Sequence, residues 1–317
     1  MSVILGIDTS CYTTSVALVN SKGQLVEENR KLLPVKEGER GLAQSQALFY
    51  HVKNFPGIFE KTLERVNGKI TAICASTKPR NVEGSYMPVF TFAESMGRSI
   101  AASLKVPFIT TSHQEGHIMA GIWSAGGKFP DKFLAVHLSG GTSEILLVKK
   151  EQNGSLKCEI KGGTVDLHAG QFVDRVGVSL GLKFPAGPQL EDLAKNSQGA
   201  LTIPSSVKGL KFSFSGPESH AQRLINKGYP HQEIARAVER CIAKTLEKSL
   251  RAAIEELAIK DVLVVGGVAA NKYIREWLEK KLSHPAVGAC IYFAEPEFSR
   301  DNAVGVALIG MHKLLKC

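Results

Sequence analysis

The chain has 317 residues, which is enough for two domains that each bury a core of their own. No stretch stays free of charge over the roughly 18 residues that a membrane helix needs, and no basic segment precedes the first apolar run, so neither a membrane span nor a secretory signal is expected. The six scattered cysteines lack a CxxC pair, which favours free thiols in a reducing cytoplasm. The net charge of +9 suits a polyanionic partner such as nucleic acid, although charge spread over solvated helices would affect only solubility.

Two segments of the chain share one pattern of strand, tight turn and strand. Residues 3–19 place Asp8-Thr9-Ser10 between two apolar strands, and residues 133–148 place Ser139-Gly140-Gly141-Thr142 between two others. A short turn rich in glycine and hydroxyl groups between β-branched strands predicts a hairpin. Backbone amides and hydroxyls that converge at such a turn suit a phosphate group.

Helices and further strands follow each hairpin. The spacing of apolar residues predicts helices over residues 43–65, 92–104, 171–181, 187–196 and 232–257. Alternating strands and helices predict an α/β fold. Because the hairpin-first unit occurs twice, we expect two lobes, residues 1–130 and 131–317, with a ligand cleft between them. The final helix is a candidate to pack back on the N-terminal lobe.

The segment Ser112-His113-Gln114-Glu115-Gly116-His117 spaces two histidines four residues apart, on one face of a helix, where both can bind one metal ion. Zinc proteases need a glutamate directly beside one of these histidines. Glu115 is two residues from each and roughly 200° around the helix from His113. The pattern therefore argues against a protease, and by itself it fits a metal site and a pair of structural histidines equally well.

Three further segments have two interpretations each. Asp301, which precedes the final helix, fits an N-cap, as does Ser299, and the spacing alone favours a cap over a third metal ligand. As a ligand it would complete a two-histidine, one-carboxylate set that suits iron, zinc or manganese.

Gly266-Gly267 after a strand fits close approach of a ligand to the backbone or a plain tight turn. Asn271 could bind a ribose or base, and Asp174 fits a ribose ligand or a solvated carboxylate.

Taken in order, these motifs resemble the tRNA N6-adenosine threonylcarbamoyltransferase family, formerly called O-sialoglycoprotein endopeptidases. The resemblance covers nearly the whole chain and runs through Asp8-Thr9-Ser10-Cys11, His113 to His117, Ser139-Gly140-Gly141, Asp174, Pro185 to Pro188, Phe212 to Gly216, Gly266 to Asn271, and Asp301-Asn302. It implies a two-lobed fold of the actin, Hsp70 and sugar-kinase type, built from duplicated ribonuclease H-like domains.

The resemblance also implies a role for each matching position. One divalent metal ion, iron or zinc ahead of magnesium or manganese, is expected at His113, His117 and Asp301, which overrides the cap-only interpretation of Asp301. Catalytic positions are expected at Asp8, Ser10 and Thr13. The adenylate, which is threonylcarbamoyl-AMP or else ATP or AMP, is expected at His137, Leu138, Ser139, Gly140, Gly141, Asp174, Gly187 and Asn271.

Members of this family transfer the threonylcarbamoyl group from threonylcarbamoyl-AMP to N6 of adenosine 37 in tRNA. The resemblance therefore implies a cytoplasmic acyltransferase of the N6-L-threonylcarbamoyladenine synthase type that acts on tRNA. It also implies partner proteins of the same pathway and a homodimer, or a heterodimer with a paralogue, without a membrane.

Four departures from the family pattern indicate a divergent paralogue. Tyr12-Thr13 replaces an acidic pair, Lys78-Pro79-Arg80 replaces Gly-Pro-Gly, Thr142 replaces a histidine, and Gln171 replaces a glutamate. Three of these changes remove charged or proton-transfer groups, and Lys78 and Arg80 add two cations, while the metal positions remain. A second hypothesis is therefore a non-catalytic or altered-substrate paralogue that binds nucleotide and metal and partners or regulates a true transferase. A third is an acyl- or phosphotransferase for a small molecule.

Overall fold

A computed structural model describes residues 2–10, 12–36, 41–66, 68–126 and 129–316. The first half of the chain forms a five-stranded sheet in the order β3-β2-β1-β4-β5. Its strands are β1 (Ser2–Thr9), β2 (Thr13–Asn20), β3 (Leu25–Leu32), β4 (Lys69–Lys78) and β5 (Phe108–Ser112). The accompanying helices are α1 (Gln44–Leu63), α2 (Val89–Leu104) and α3 (His113–Ser124).

The second half forms a seven-stranded sheet in the order β12-β11-β6-β7-β8-β10-β9. Its strands are β6 (Lys132–Leu138), β7 (Ser143–Lys150), β8 (Leu156–Thr164), β9 (Ser206–Lys208), β10 (Lys211–Ser213), β11 (Asp261–Val265) and β12 (Cys290–Phe293). Its helices are α4 (Ala169–Ser179), α5 (Gly187–Ala194), α6 (Ser215–Asn226), α7 (His231–Leu257), α8 (Lys272–Leu282), α9 (Pro296–Ser299) and α10 (Val304–Leu314). None of the helices in the described ranges combines the length and apolarity needed to cross a membrane.

The two sheets repeat one topology. In the first, the antiparallel strands β1, β2 and β3 are followed by β4, parallel to β1, and β5, parallel to β4. In the second, β6, β7 and β8 are antiparallel, β11 is parallel to β6 and β12 is parallel to β11. Both predicted hairpins and the α/β class are thus confirmed. The carboxyl ends of β1, β4, β6 and β11 carry the turns in which ligands of such sheets bind.

The predicted helices are present with ends shifted by a few residues. The long helix α7 buries the apolar stripe expected from its spacing, from Ile234 to Ile254, with Leu257 half-buried at its end. The helix expected at 171–181 begins earlier, at Ala169, where the side chain of Gln171 accepts from the backbone N–H of His168 at 3.2 Å. Helical periodicity therefore located the helices, whereas local capping chemistry set the first residue of α4.

The final helix, α10, lies against the first sheet and α3 rather than the second sheet. A Cβ atom on Gly6 of β1 would lie 2.6 Å from the carbonyl of Ala303 and 2.8 Å from Cβ of Ala307, so this contact needs glycine. Gly305 meets α3 in the same way, because a Cβ there would collide with the carbonyl of Gly116. We propose two lobes, residues 1–130 and 131–317, with α10 returning to the first. Residues 127–128, within the boundary region, lie outside the described residues.

Candidate metal and adenylate site

The histidine pair lies in the first two turns of α3, which starts at the carboxyl end of β5. Ser112 is the N-cap, and Glu115 closes a capping box by accepting from the backbone N–H of Ser112 at 2.9 Å and its hydroxyl at 2.7 Å. The carboxylate of Glu115 accepts both of these hydrogen bonds, so it does not share a site with the histidines. The geometry agrees with the sequence argument against a zinc protease.

His113, His117 and Asp301 converge on one point. Nε2 of His117 lies 3.1 Å from Nε2 of His113 and 3.2 Å from Oδ1 of Asp301, and Nε2 of His113 lies 3.6 Å from the same oxygen. Ligand atoms held about 2.1 Å from one ion are separated from each other by about 3.0–3.4 Å. Two of the three separations fall in this range and the third, 3.6 Å, is slightly longer. The three side chains therefore fit a single transition-metal ion after a small adjustment of His113, and all candidate ligand atoms fall within 4.8 Å of one another.

A second layer of side chains orients these three. Asp8, at the end of β1, places Oδ1 3.0 Å from Nδ1 of His113 and accepts a hydrogen bond from Ser76 of β4. Ser10 donates to Oδ2 of Asp301 at 2.7 Å. A carboxylate on the outer nitrogen of a ligand histidine fixes the tautomer that presents Nε2 to a metal. Asp8 and Ser10, expected at catalytic positions, thus contact the metal-binding side chains, and Cys11 beside them lies outside the described residues.

The three candidate metal ligands lie in an anionic pocket. Burial disfavours a charge on His113, but the carboxylates of Asp8 and Asp301 outweigh it and hold the pKa of His113 well above its usual value. Burial likewise raises the pKa of Asp301, but hydrogen bonds from His113 and His117 outweigh it and bring that pKa well below its usual range. Two carboxylates therefore stabilise positive charge between them, which is the electrostatic requirement of a cation site.

His137, expected at the adenylate, has its ring beside His117, with 4.6 Å between ring centroids. Both ring nitrogens are buried and have no hydrogen-bond partner among the described residues. Burial, followed by the nearby His117 and His113, holds the pKa of His137 well below its usual value. The result is a neutral imidazole with an available lone pair at the edge of the metal-binding cluster.

The glycine turns of the second lobe leave their backbone open. Apart from the adjacent residues of the chain, no atom of the described residues lies within 4 Å of the position that a Cβ would take on Gly140, Gly141 or Gly267. Gly266 differs, because its φ is 98° and a Cβ would collide with Leu138. The backbone N–H of Ser139 closes the hairpin turn by donating to the carbonyl of Thr142 at 2.7 Å. These turns border an open space where a phosphate can approach the backbone.

The remaining adenylate positions are arranged around α4, α5 and α8. Asp174 accepts from the N–H of Ala186 at 2.8 Å, one residue before Gly187 begins α5. Burial raises the pKa of Asp174 to about 6, so it is not a freely solvated carboxylate. Asn271 caps α8 by accepting from the N–H of Ile274 at 3.0 Å. Its amide nitrogen also donates to Oε1 of Glu239 at 2.6 Å, so the side chain is already committed at both ends.

The side chain of Leu138 is fully buried in the core of the second lobe. Only its backbone can therefore take part in binding. The cap interpretation of Asp301 and Ser299 is not supported, because Asn302 accepts from the N–H of Val304 at the start of α10. Ser299 instead donates to the carbonyl of Gly266 at 2.8 Å.

Two of the four departures from the family pattern have structural consequences in the cleft. Arg80 extends from the loop after β4 and pairs with Glu144 of β7 at 2.8 Å. Gln114 of α3 donates to the other oxygen of Glu144 at 2.8 Å. Tyr12 contacts Phe184 of the second lobe, with 5.3 Å between ring centroids. The charged and aromatic replacements therefore connect the lobes, which the sequence alone did not indicate.

A pocket of about 430 Å³ opens beside Asp301. Thr13, Arg30 and Arg300 contribute to its lining. Arg30 of β3 donates to the carbonyls of Glu297 at 2.9 Å and Asp301 at 3.3 Å, so it holds the loop that carries the third metal-binding residue. Thr13 is thus a wall residue of this pocket, in the place where the family has an acidic side chain.

Comparison with known proteins identifies the family of this chain. The sequence profile of the tRNA N6-adenosine threonylcarbamoyltransferase family matches residues 31–308. This chain belongs to that family. It is 33% identical over 311 residues to a family member from Thermus thermophilus, covering 96% of this chain and 91% of the relative. It is 29% identical over 310 residues to the one from Archaeoglobus fulgidus, covering 98% and 90%.

Solved structures support the fold assignment. Component A of (R)-2-hydroxyglutaryl-CoA dehydratase from Acidaminococcus fermentans superposes with a TM-score of 0.59 at 18% identity, covering 99% of this chain and 100% of that one. HypF from T. kodakarensis superposes at 0.61 and 15% identity, covering 99% and 48%. A glucokinase of the ROK family from Streptomyces griseus superposes at 0.54 and 11% identity, covering 97% and 99%. The two-lobed fold of the actin, Hsp70 and sugar-kinase type is therefore confirmed.

Proposed function

We propose that this protein transfers the threonylcarbamoyl group from threonylcarbamoyl-AMP to N6 of adenosine 37 in tRNA. The observation that supports this most directly is the convergence of His113, His117 and Asp301 beside the open glycine turns in a member of this transferase family. In the reaction, a bond forms between N6 and the carbamoyl carbon, the bond from that carbon to the phosphate oxygen breaks, AMP leaves, and N6 loses a proton.

The chain would hold one divalent metal ion through His113, His117 and Asp301. A bound iron, zinc or manganese ion would supply Lewis acidity toward carbamoyl or phosphate oxygens. Asp8 would fix the orientation of His113, and Ser10 that of Asp301, through the hydrogen bonds described above. These two residues are therefore assigned as positioning residues, and His137 as a neutral side chain at the edge of the metal site.

The second lobe would hold the adenylate. The open backbone at Gly140, Gly141 and Gly267 suits the phosphate, because nothing in the described structure covers it. Asp174 of α4, which accepts from the N–H of Ala186 just before α5, would accept from ribose hydroxyls next to Gly187. Asn271 would act through its contact with Glu239 or exchange that contact for the ligand.

The direct test is tRNA modification with threonine, bicarbonate and ATP, with an active threonylcarbamoyl-AMP synthase and the partner proteins of the pathway. We expect modified adenosine 37 from the wild-type chain and none from His113→Ala. A matched control is His231→Ala, since His231 is exposed at the start of α7. Absence of product from a wild-type chain that binds metal and adenylate would contradict the proposal.

The replacement of the acidic pair by Tyr12 and Thr13 favours one alternative. In the pocket beside Asp301, Thr13 supplies a neutral hydroxyl, and Arg30 and Arg300 balance the acids Glu297 and Asp301. The lack of an added acid at Thr13 fits a paralogue with an altered substrate or a regulatory role that pairs with a true transferase. A stable complex with such a transferase, together with no product from the chain alone, would support the alternative over the first proposal.

A further inference from the structure

A groove in the second lobe takes no part in the reaction proposed above. It encloses about 580 Å³ between the segment before β9 and the helices α7 and α8. Its polar and aromatic lining consists of three lysines, one tryptophan, one serine, one threonine and one glutamate: Lys244, Lys248, Lys281, Trp277, Ser205, Thr202 and Glu247. We call this set the lysine groove.

The lysine groove carries a positive charge that the chain itself does not neutralise. No carboxylate of the described residues lies within ion-pair distance of Lys244, Lys248 or Lys281. The one acid in the lining, Glu247, is already engaged, because Arg251 binds Oε1 at 3.2 Å and the indole N–H of Trp277 donates to Oε2 at 2.8 Å. Three ammonium groups therefore face one cavity whose single carboxylate is already bound to Arg251 and Trp277.

Neighbouring side chains hold these ammonium groups in place. The Nζ atoms of Lys244 and Lys281 lie 6.0 Å and 5.5 Å from the ring centroid of Trp277. Lys248 donates to the hydroxyl of Ser205 at 2.9 Å. Cation–π and hydroxyl contacts orient a lysine without cancelling its charge. Because like charges repel each other, an anion between them would stabilise this arrangement.

The groove is adjacent to the adenylate end of the cleft. Helices α7 and α8 also carry Glu239 and Asn271, which are hydrogen-bonded to each other there. Lys244 is five residues beyond Glu239 and Trp277 is six beyond Asn271. At about 1.5 Å per residue, these positions are about 8–9 Å farther along the two helices. A large polyanion that engages the cleft is therefore able to reach the groove.

We propose that the lysine groove binds phosphate groups of the substrate RNA backbone. This inference rests on the proposed function, in which the substrate is tRNA. Lysine ammoniums act as point charges toward phosphates, and the groove offers no arginine fork or amide aimed at a base edge. The contact is therefore independent of RNA sequence. It contributes affinity and does not select which adenosine is modified.

The test is the salt dependence of tRNA binding to the whole chain. Log affinity for tRNA falls linearly with log salt concentration. The triple variant Lys244→Gln, Lys248→Gln, Lys281→Gln should reduce the magnitude of this slope by about 2 to 3 and weaken binding to all tRNAs alike. The matched control is the same substitution at three exposed lysines of the first lobe, Lys53, Lys61 and Lys69, which should leave the slope unchanged. In the modification assay, the groove variant should raise KM for tRNA and keep kcat.

Trp277 provides a second measurement inside the groove. The chain has two tryptophans, so the Trp123→Phe variant leaves Trp277 as the sole indole. Its fluorescence should change on addition of tRNA, and the change should disappear in the triple groove variant. Adenosine and metal binding should be the same in both proteins, which shows that the fold is intact.

Two results would overturn the groove assignment. One is equal salt slopes for the wild type and the groove variant. The other is a groove variant that loses affinity for inorganic phosphate or AMP alone, with its tRNA slope unchanged, which would make the groove a small-anion site. Failure of the proposed function gives a result different from failure of the groove assignment. In that case the wild-type chain binds tRNA with the full salt slope but does not modify it.

Discussion

Arg80 of the first lobe forms an ion pair with Glu144 of the second across the floor of the cleft, 2.8 Å from nitrogen to oxygen. Both side chains are largely shielded, at 32% and 11% exposure, and Gln114 adds a second hydrogen bond to Glu144. Because the family resemblance leads us to expect a glycine at position 80, we interpret this contact as an added link between the lobes. It also fixes a guanidinium beside the glycine turns that we assign to phosphate.

The strength of this link is measurable in a double-mutant cycle. We expect Arg80→Gln and Glu144→Gln to be coupled by about 1 to 2 kcal/mol in the free energy of unfolding, because the pair is mostly removed from solvent. The control is Arg98 and Glu94 on α2, also 2.8 Å apart but 62% and 36% exposed, for which about 0.3–0.5 kcal/mol is expected. Additive single substitutions at Arg80 and Glu144 would show that the contact does not link the lobes.

Metal content separates the ligands from the residues behind them. His117→Ala and Asp301→Ala should each remove the bound metal, since each deletes one of three converging ligand atoms. Ser10→Ala should retain it with affinity lowered about tenfold or more, because Ser10 contacts only the far oxygen of Asp301. Metal per chain after dialysis is the measurement, with His231→Ala as the control. Full occupancy in His117→Ala would rule out this ligand set.

The raised pKa of Asp174 predicts a pH dependence of nucleoside binding. The ionised carboxylate accepts from ribose hydroxyls, so adenosine affinity should rise as pH increases through about 6, by about tenfold overall. Adenosine is the suitable ligand because it lacks the phosphate of AMP, which titrates in the same range. Asp174→Asn should flatten the profile, whereas Asp192→Asn, at an exposed position of α5, should not. A wild-type profile that is flat between pH 5 and 7 would exclude this role.

The same shift has the opposite effect on folding. Because burial raises the folded-state pKa of Asp174 to about 6, above its usual 3.8, the protonated form favours the folded state. This contribution is therefore greatest at low pH and is lost as pH rises from about 4 to 6. Thermal unfolding of Asp174→Asn should lack that component of the pH dependence. If thermal stability changed with pH equally in the wild type and in Asp174→Asn, Asp174 would be in a more solvated environment.

The contact between α10 and α3 is tested by two glycine substitutions. Gly305→Ala should destabilise the chain by about 3 kcal/mol, because the new Cβ would collide with the carbonyl of Gly116 and lie 2.8 Å from the N–H of Ala120. Gly57→Ala in α1 should instead stabilise it by about 0.5–1 kcal/mol, since nothing lies within 4 Å and alanine favours a helix. Chemical denaturation measures both. A tolerated Gly305→Ala would mean that the two helices separate at little cost.

The sequence predicted the parts of the fold that depend on local spacing. Apolar periodicity located α1 and α7, and the two hairpins followed from β-branched runs that flank short turns. The pairing of β11 between β6 and β12 was not predicted. The partners β6 and β11 are more than a hundred positions apart in the chain, and no local pattern encodes such a pairing.

The residues of the candidate site also divide into those that local spacing predicts and those that it does not. Helical spacing put His113 and His117 on one face, but Asp301 is 184 residues beyond His117, and only family resemblance connected them. Ser76 was missed because its role depends on β4 lying beside β1, although its position at the end of an apolar strand was a usable signal. The contact of His137 with His117 depends on how the lobes close, which spacing does not report.

The return of α10 to the first sheet has a consequence for the order of assembly. Gly6 of β1 is synthesised 301 positions before its packing partner Ala307. One face of the earlier lobe therefore stays uncovered on the ribosome until α10 has been made. Because Asp301 directly precedes that helix, the proposed metal site also cannot form before then. A captured ion would thus mark a molecule in which the two distant segments have already met.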